Sequence, residues 1–420
     1  MDNQKKVMKQ RIQPTASPDK ARHLSLFMPS LAGGGVERVM LNLAKAFAAR
    51  GHRVDMVVCR AKGELRDRIP DGITLVELQQ SASRVWPRLQ VLRADPKGFW
   101  VLLKPVLFAI RTPYKIRYLA SLVRYLRRAS PDVLLTAMTG PNLTALWARR
   151  LASVPTRVVI SEHNSLSQKI QAETNRQQWG WRFLPPVISR TYPWANAIIA
   201  VSDGVADDLS AKTGLPRESI QTLYNPVVTP ELEARRETTP DHPWFAQGSP
   251  PVILGVGRLA KQKDFSTLLR AFARVRESKD ARLIILGEGS ERKNLEALAQ
   301  RLGVADAASF PGWVANPYAY MAQAKVLALS SAFEGLGNVL IEALACGCPV
   351  VSTDCPSGPS EILAGGDYGT LVPVGDDRAL AQGIAAVLDK PRDSLRLQNR
   401  AQAFSLERAV SRYLEVLCGL

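Results

Sequence analysis

Short apolar runs alternate with longer amphipathic stretches from residue 23 almost to the end of the chain. In the first half, His23–Met28, Arg53–Cys59, Ile73–Leu78, Asp132–Thr136, Arg157–Ser161, Ala197–Val201 and Ile220–Leu223 have the length and near-continuous apolar character of buried strands. Val36, Val39, Met40, Leu43 and Phe47 recur at the spacing of one helix face, directly after Gly33-Gly34-Gly35. Residues 229–251 are charged and carry prolines, which suits a linker. Beyond them the alternation restarts with strands at Val252–Val256, Arg282–Leu286, Val326–Leu329 and Val350-Val351. Helical patterns lie between them, one presenting Leu268, Leu269, Phe272 and Val275, and helices near Asp377–Leu388, Ser394–Gln402 and Leu406–Cys418 close the chain. Strand–helix alternation of this kind predicts an α/β chain of parallel sheets, and 420 residues suffice for two such domains.

One segment breaks the rhythm. From Arg84 to Arg128 there are eleven basic residues and a single acid, Asp95. Phe99–Ile110 inside it is apolar but interrupted by Lys104-Pro105, far short of the ~20 residues a membrane span needs. In Ile116–Arg128, Ile116, Leu119, Ala120 and Val123 face one way, while Lys115, Arg124, Arg127 and Arg128 lie around the polar side. An apolar wedge with a basic flank predicts contact with an anionic membrane surface, and a buried helix pair with a solvated basic face is the alternative. The overall charge of +17 is confined to the same half: residues 1–200 hold 32 Lys/Arg against 12 Asp/Glu, and the remainder 23 against 26. Nucleic acid would also explain that excess, but it calls for aromatic residues interleaved with cations on a sheet. The apolar centre of the insert favours lipid instead. Residues 1–20 read as a disordered basic tail with no apolar centre of a secretory signal, and the five scattered cysteines read as reduced thiols, together pointing to a cytoplasmic protein.

Candidate chemistry gathers where strands end. After Val326–Leu329 comes Glu334, then Gly335 and Gly337, then a helix containing Glu342, with seven residues between the two glutamates. Glycines allow close backbone approach, and the free N–H groups and positive dipole end of the new helix favour a phosphate. Glu342, about one and a half turns into that helix at ~3.6 residues per turn, can accept from a ribose diol, and Glu334 from hydroxyls beyond the phosphates. The combination suits a nucleotide-sugar. Arg258 and Lys263 fall in one strand-to-helix loop, where two cations can neutralise a departing diphosphate without a metal. The backbone of Gly287-Glu288-Gly289 can lie against a ring; Val314 backbone can hold a base, while Trp313 packs in the core as an equal alternative. His163 follows the strand Arg157–Ser161, at the carboxyl end where parallel sheets meet ligands.

Taken together and in this order, GGGVER (Gly33–Arg38), EHN (Glu162–Asn164), VGRLAKQKDFSTLL (Val256–Leu269), GEG (Gly287–Gly289), PGWV (Pro311–Val314) and EGLGNVLIEALACGCPVVSTDCPSGPSEIL (Glu334–Leu363) resemble a retaining glycosyltransferase of family four. The resemblance covers about residues 23–400 and is strongest toward bacterial members that build lipid-linked oligosaccharides or surface polysaccharides. It implies the GT-B fold, two facing Rossmann-like domains across a deep cleft: an acceptor domain over 21–226 and a donor domain over 227–403, with the helix at 404–420 packing back on the first. It further implies that Arg258 and Lys263 bind the donor diphosphate with the amides near Gly337 and Asn338. Glu342 would hold the ribose, Glu334 the transferred sugar and Val314 the base. His163 would stand at the reaction centre, and the Gly33, Gly34, Gly35 loop would admit phosphates and acceptor. The implied activity is metal- and cofactor-independent transfer of a hexose or N-acetylhexosamine from a UDP-sugar to a glycan or polyprenyl-diphosphate-linked acceptor at the cytoplasmic membrane face. A nucleotide-sugar epimerase or hydrolase on the same scaffold is the alternative.

Overall fold

The computed structural model describes residues 21–108, 115–175 and 179–419. The basic tail at 1–20, and the last two residues of the apolar run Phe99–Ile110, lie outside them. The first sheet is made of β1 (His23–Ser30), β2 (Arg53–Arg60), β3 (Ile73–Glu77), β4 (Val133–Ala137), β5 (Arg157–Glu162), β6 (Ala197–Ala200) and β7 (Ile220–Thr222). These strands run in the order β3-β2-β1-β4-β5-β6-β7, and every pairing is parallel. The second is made of β8 (Val252–Val256), β9 (Arg282–Leu286), β10 (Ala308–Gly312), β11 (Val326–Leu329), β12 (Val350–Thr353) and β13 (Thr370–Val372). Its order is β10-β9-β8-β11-β12-β13, again all parallel. These are the two Rossmann-like units of a GT-B chain. In each sheet the strand order reverses next to the first strand, between β1 and β4 and between β8 and β11. Open α/β sheets take their ligands at such a switch point, beyond the carboxyl ends of the strands.

Helices cover both faces, which is why the strands are apolar throughout; β4 is buried along its whole length. Val39, Met40, Leu43 and Phe47 of the helix Gly35–Ala49 share a core with Val410, Tyr413, Leu414 and Leu417 of the last helix, Leu406–Cys418. The chain therefore returns to the first sheet after building the second. The returning segment is stitched by Leu406 N–H to Val228 O at 2.9 Å and Val227 N–H to Phe404 O at 3.1 Å.

Two sequence expectations fail here. The helix Leu119–Ala129 is no membrane wedge: Leu119, Leu122, Val123 and Leu126 are buried in the core of the first domain. Tyr125 sinks its hydroxyl between Asp55 Oδ2 and Ser25 Oγ, both at 2.6 Å. Four buried aliphatic side chains stabilise that seat by roughly 6 kcal/mol or more, so the helix has no apolar face left for lipid. The stretch 229–251 is not a free tether either. Thr229 Oγ1 caps the helix Pro230–Arg236 by accepting from Leu232 N–H at 3.2 Å, and Leu232 is fully buried. His242 Nε2 lies 3.1 Å from Ser309 Oγ, and Tyr320 OH donates to Asp241 O at 2.9 Å, pinning the segment to the second domain. Among the described residues no helix is long and apolar enough to cross a membrane. Four of the five cysteines are buried as free thiols.

Candidate active site

The second domain's switch point is framed by the loops after β8 and β11. Gly257, Arg258 and Leu259 lead into the short turn Lys261–Lys263, and Asp264 then caps the helix Phe265–Arg276 with its carboxylate on Thr267. Lys263 Nζ donates to Glu334 Oε1 at 2.6 Å, and Ser331 Oγ reaches the same oxygen at 2.6 Å. The loops are locked together beneath the pair: Ser330 Oγ donates to Lys263 O, Gln262 Nε2 to Phe333 O and Thr353 Oγ1 to Ser331 O. Glu334 is buried, so its charge requires this partner. An ammonium has three donors, and one of those of Lys263 is spent on Glu334. Arg258 is exposed at the mouth of the same loop.

Gly287 shows why glycine stands at these turns. A Cβ there would lie 2.0 Å from Gly257 O, so the loops after β8 and β9 touch backbone to backbone. Gly287 N–H in turn donates to Gly312 O at 2.8 Å, which brings Val314 into the same layer, half-buried. Trp313, whose packing in the core was the alternative to a base on the Val314 backbone, is 49% exposed.

Gly337, in the left-handed region at φ +91°, turns the chain into the helix Asn338–Ala345, whose first amides carry no side-chain cap. Glu342 lies on this helix, half-buried. Burial pushes its carboxyl up from the ordinary 4.5 to about 7, opposed by the positive charges of Arg38 and Lys263. The Glu342 charge also raises the Tyr318 hydroxyl. Arg38 comes from the first domain and faces Glu342 across the cleft, with its buried Nε lacking a hydrogen-bond partner.

From the other side, His163 follows β5 and is buried, with Nε2 3.0 Å from Ser161 Oγ. Burial lowers it to about 3, so the ring is neutral at physiological pH and acts as a hydrogen-bonding group rather than a cation. Its neighbour Glu162 is a buried carboxyl held by Tyr192 OH, by Thr139 Oγ1 at 3.0 Å and by Asn142 Nδ2 at 3.0 Å. Burial raises its pKa, chiefly against the charge of Lys169. The Gly33–Gly35 loop closes this wall. The carboxylate of Glu37 folds back to 2.6 Å from where a Gly34 Cβ would be, and Glu64 to 3.0 Å from that of Gly33. Acids, not open space, flank that loop, while Gly35 faces Asn338 Nδ2 at 3.7 Å.

The two walls are in contact. A Cβ on Gly335 would sit 2.0 Å from His163 O, and Ser202 Oγ donates to Gly335 O at 2.6 Å. Asn225 Nδ2 donates to Asn338 Oδ1 at 2.9 Å. Glu361 accepts from Asp203 N–H at 2.8 Å and Gly204 N–H at 3.0 Å, the first amides of the helix Asp203–Thr213. One cleft thus gathers His163, Lys263, Glu334, Gly337, Asn338 and Glu342, with Arg258 at its rim and Gly287 and Val314 one loop layer away. Arg38, Ser331 and Glu361 are the participants that sequence reasoning left without a role. Arg38 and Glu361 lay inside the quoted motifs, but only proximity across the cleft identifies them.

Comparison with known proteins agrees with this architecture. Residues 240–404 match the family described as Glycosyl transferases group 1, and residues 33–230 match Glycosyltransferase Family 4. The N-acetylgalactosamine-N,N'-diacetylbacillosaminyl-diphospho-undecaprenol 4-alpha-N-acetylgalactosaminyltransferase of Campylobacter jejuni is 31% identical over 94% of this chain and 99% of its own length. The lipopolysaccharide core biosynthesis glycosyltransferase LpsE of Rhizobium meliloti is 28% identical over 92% of this chain and 96% of its own. Among solved structures, HepE of Anabaena in complex with UDP and glucose superimposes with a TM-score of 0.70 at 20% identity, covering 95% of this chain and all of that one. The chain belongs to glycosyltransferase family 4 and is a glycosyltransferase with the GT-B fold.

Proposed function

We propose that this glycosyltransferase moves a hexose or N-acetylhexosamine from a UDP-sugar to a lipid-linked glycan at the cytoplasmic face of the membrane, with retention of anomeric configuration. The observation that carries the reading is the Lys263–Glu334 pair facing His163 across the cleft, with Glu342 one helix turn and a half below. Lys263 and Arg258 supply positive charge where a diphosphate departs, and the uncapped helix start at Asn338 adds amides to the same anion. Glu342 takes the ribose diol and Glu334 the hydroxyls of the sugar. His163, neutral and buried, hydrogen-bonds the donor sugar from the opposite wall. With no carboxylate on the acceptor side of that sugar assigned as nucleophile, the leaving diphosphate itself receives the acceptor proton as the new bond forms on the same face. The protein's part is orientation and support of departing charge. UDP is favoured because a structural neighbour of the same fold is solved with UDP and glucose, and a lipid-linked acceptor because the Campylobacter relative's name specifies one.

A screen of nucleotide-sugars with a polyprenyl-diphosphate-linked glycan acceptor, read by mass spectrometry and by the anomeric coupling of the product, tests this. Lys263→Ala is expected to cut turnover on the order of 100-fold, the cost of a main oxyanion donor. Unchanged turnover at saturating donor removes Lys263 from the reaction, and donor cleavage that ignores every acceptor makes the enzyme a hydrolase.

A further inference from the structure

The last helix, Leu406–Cys418, does more than fill a core. Arg157, at the start of β5, donates from Nη2 to Val416 O at 3.3 Å and so ties the helix to that strand. A turn earlier on the helix stands Tyr413, 1% exposed, in an apolar cluster with Val159 and Val410. Side chains alternate along a strand, so Ser161 follows Val159 on the face that this helix covers. Burial raises the Tyr413 hydroxyl, and a hydrogen bond with the Ser161 side chain opposes that rise. The contact falls short of full hydrogen-bond geometry, so a small turn of either hydroxyl completes it. Ser161 itself is fixed, because its carbonyl accepts from Met138 N–H and from Asn142 Nδ2, both at 3.0 Å. Its Oγ lies 3.0 Å from His163 Nε2.

The protons of this row allow one satisfied arrangement. Tyr413, Ser161 and the neutral His163 ring each carry a single hydrogen for side-chain bonding. A buried phenol O–H without an acceptor is costly, and Ser161 Oγ is the acceptor beside it. A serine that accepts from Tyr413 still has its own hydrogen to place, and Nε2 takes it only as an unprotonated nitrogen. The hydrogen of the ring then sits on Nδ1. With Nε2 protonated instead, either the phenol or the serine hydrogen is stranded among apolar side chains.

Resting on the bond to the donor sugar given above to His163, we propose that Tyr413 and Ser161 are positioning residues for this reaction. Tyr413 O–H donates to Ser161 Oγ, Ser161 O–H donates to Nε2, and His163 is held as an Nδ1–H donor toward an oxygen lone pair of the transferred sugar. The helix that returns to the first domain thereby acts on the cleft through a single serine.

The test uses the full chain grown with isotope-labelled histidine. The sequence holds four histidines, and the ring signal missing from His163→Gln identifies the one in question. At neutral pH and without substrate, its nitrogens are expected to read Nδ1 protonated and Nε2 bare. Tyr413→Phe, which leaves the aromatic ring in the core, and Ser161→Ala are each expected to shift the imidazole toward Nε2–H at a nearly unchanged melting temperature. In transfer assays each is expected to lower kcat about five- to tenfold with the donor KM within about twofold, and the double variant to lose no more than the single ones, as for groups of one network. A wild-type ring protonated at Nε2, an unshifted ring in Tyr413→Phe, or losses that multiply in the double variant overturn the relay. The ring signals are read apart from turnover. If the tautomer shifts as expected while His163→Gln transfers sugar like the wild type, the relay stands and the bond from His163 to the donor falls. If His163→Gln is inactive while both variants keep the wild-type ring and rate, the relay falls and the proposed function stands.

Discussion

Glu342 gives the sharpest quantitative handle on the proposed donor site. Its carboxyl is raised from the ordinary 4.5 to about 7 by burial, in spite of Arg38 and Lys263 nearby. Each pH unit between folded and unfolded values corresponds to about 1.4 kcal/mol, so holding the group ionised in the fold costs on the order of 3 kcal/mol. The side chain is half-buried and opens on the cleft, where water screens it; about 2 kcal/mol is the figure to test. Because the folded value lies above the unfolded one, the folded protein holds the extra proton between pH 4.5 and about 7. The stability this group contributes is complete below 4.5, falls as pH rises through 7, and stays lost above it. Glu342→Gln is therefore expected to gain about 2 kcal/mol over the wild type in urea titrations at pH 8, and nothing at pH 4.5.

The same group ties pH to function. Ribose hydroxyls donating to Glu342 favour its charged form, so binding a nucleotide-sugar below pH 7 must expel a proton. An intact nucleotide-sugar carries no titrating phosphate proton in this range, which isolates the effect. By calorimetry its affinity for the wild type should be about tenfold weaker at pH 6 than at pH 8, with proton release visible as a buffer-dependent heat. Glu342→Gln should bind weakly and without that slope. Equal wild-type affinity at the two pH values, or the same slope in the variant, refutes the ribose assignment.

Two further perturbations test the closed cleft. Glu361→Ala removes two charge-assisted bonds to the amides of Asp203 and Gly204, each worth about 1.5–3 kcal/mol when sheltered and less at this partly exposed seam. Those two amides should exchange hydrogen at least tenfold faster, with kcat/KM falling and the melting temperature nearly unchanged; unaltered exchange means that Glu361 does not hold the helix. Gly335→Ala places a Cβ 2.0 Å from His163 O, a clash of backbone with backbone. Overpacking of this kind costs about 1–3 kcal/mol, here expressed as opened domains. Expected are at least a tenfold loss of kcat/KM and a larger radius of gyration in solution scattering, and a wild-type radius with full activity would show that the two walls do not need to touch.

Much of the fold was legible because parallel strands buried on both faces must be apolar runs, and eleven of the thirteen strands sit on runs that stood out as such; β10 did not, because Ala308–Gly312 holds Pro311 and is mostly only half-buried. β13 escaped because Thr370–Val372 is a three-residue edge strand with too few positions to carry a period. The helix Leu119–Ala129 was misread for a related reason. Ile116, Leu119, Ala120 and Val123 looked like a narrow wedge, but Leu122, Tyr125 and Leu126 widen the buried face until it fits a core. The stretch 229–251 looked like a linker because charge and proline dominate it, while its anchors, Leu232 and His242, are single residues whose partners lie far along the chain. The site shows the same limit. Glu334, Glu342, Arg258 and Lys263 announce themselves through local spacing beside glycines. Arg38 and Glu361 act across the cleft, and no periodicity within one segment reports a contact between two domains.

The contacts that join the domains fall on a small part of the second domain. Ser202 bonds Gly335, Asn225 bonds Asn338, and the helix start at Asp203 bonds Glu361, so the run from Glu334 to Glu361 carries each of these cross-cleft hydrogen bonds. That run also carries both glutamates and the uncapped helix start of the proposed donor site. A ligand that reshapes the turn at Gly335–Asn338 therefore acts on the seam directly, without any relay through the cores. Lys263 strengthens the link, since a phosphate that draws its ammonium loosens Glu334, three residues along from Ser331 and one before Gly335. On the donor assignment proposed above, donor occupancy and domain closure are two readings of one loop, and a substitution that alters either should alter both in proportion.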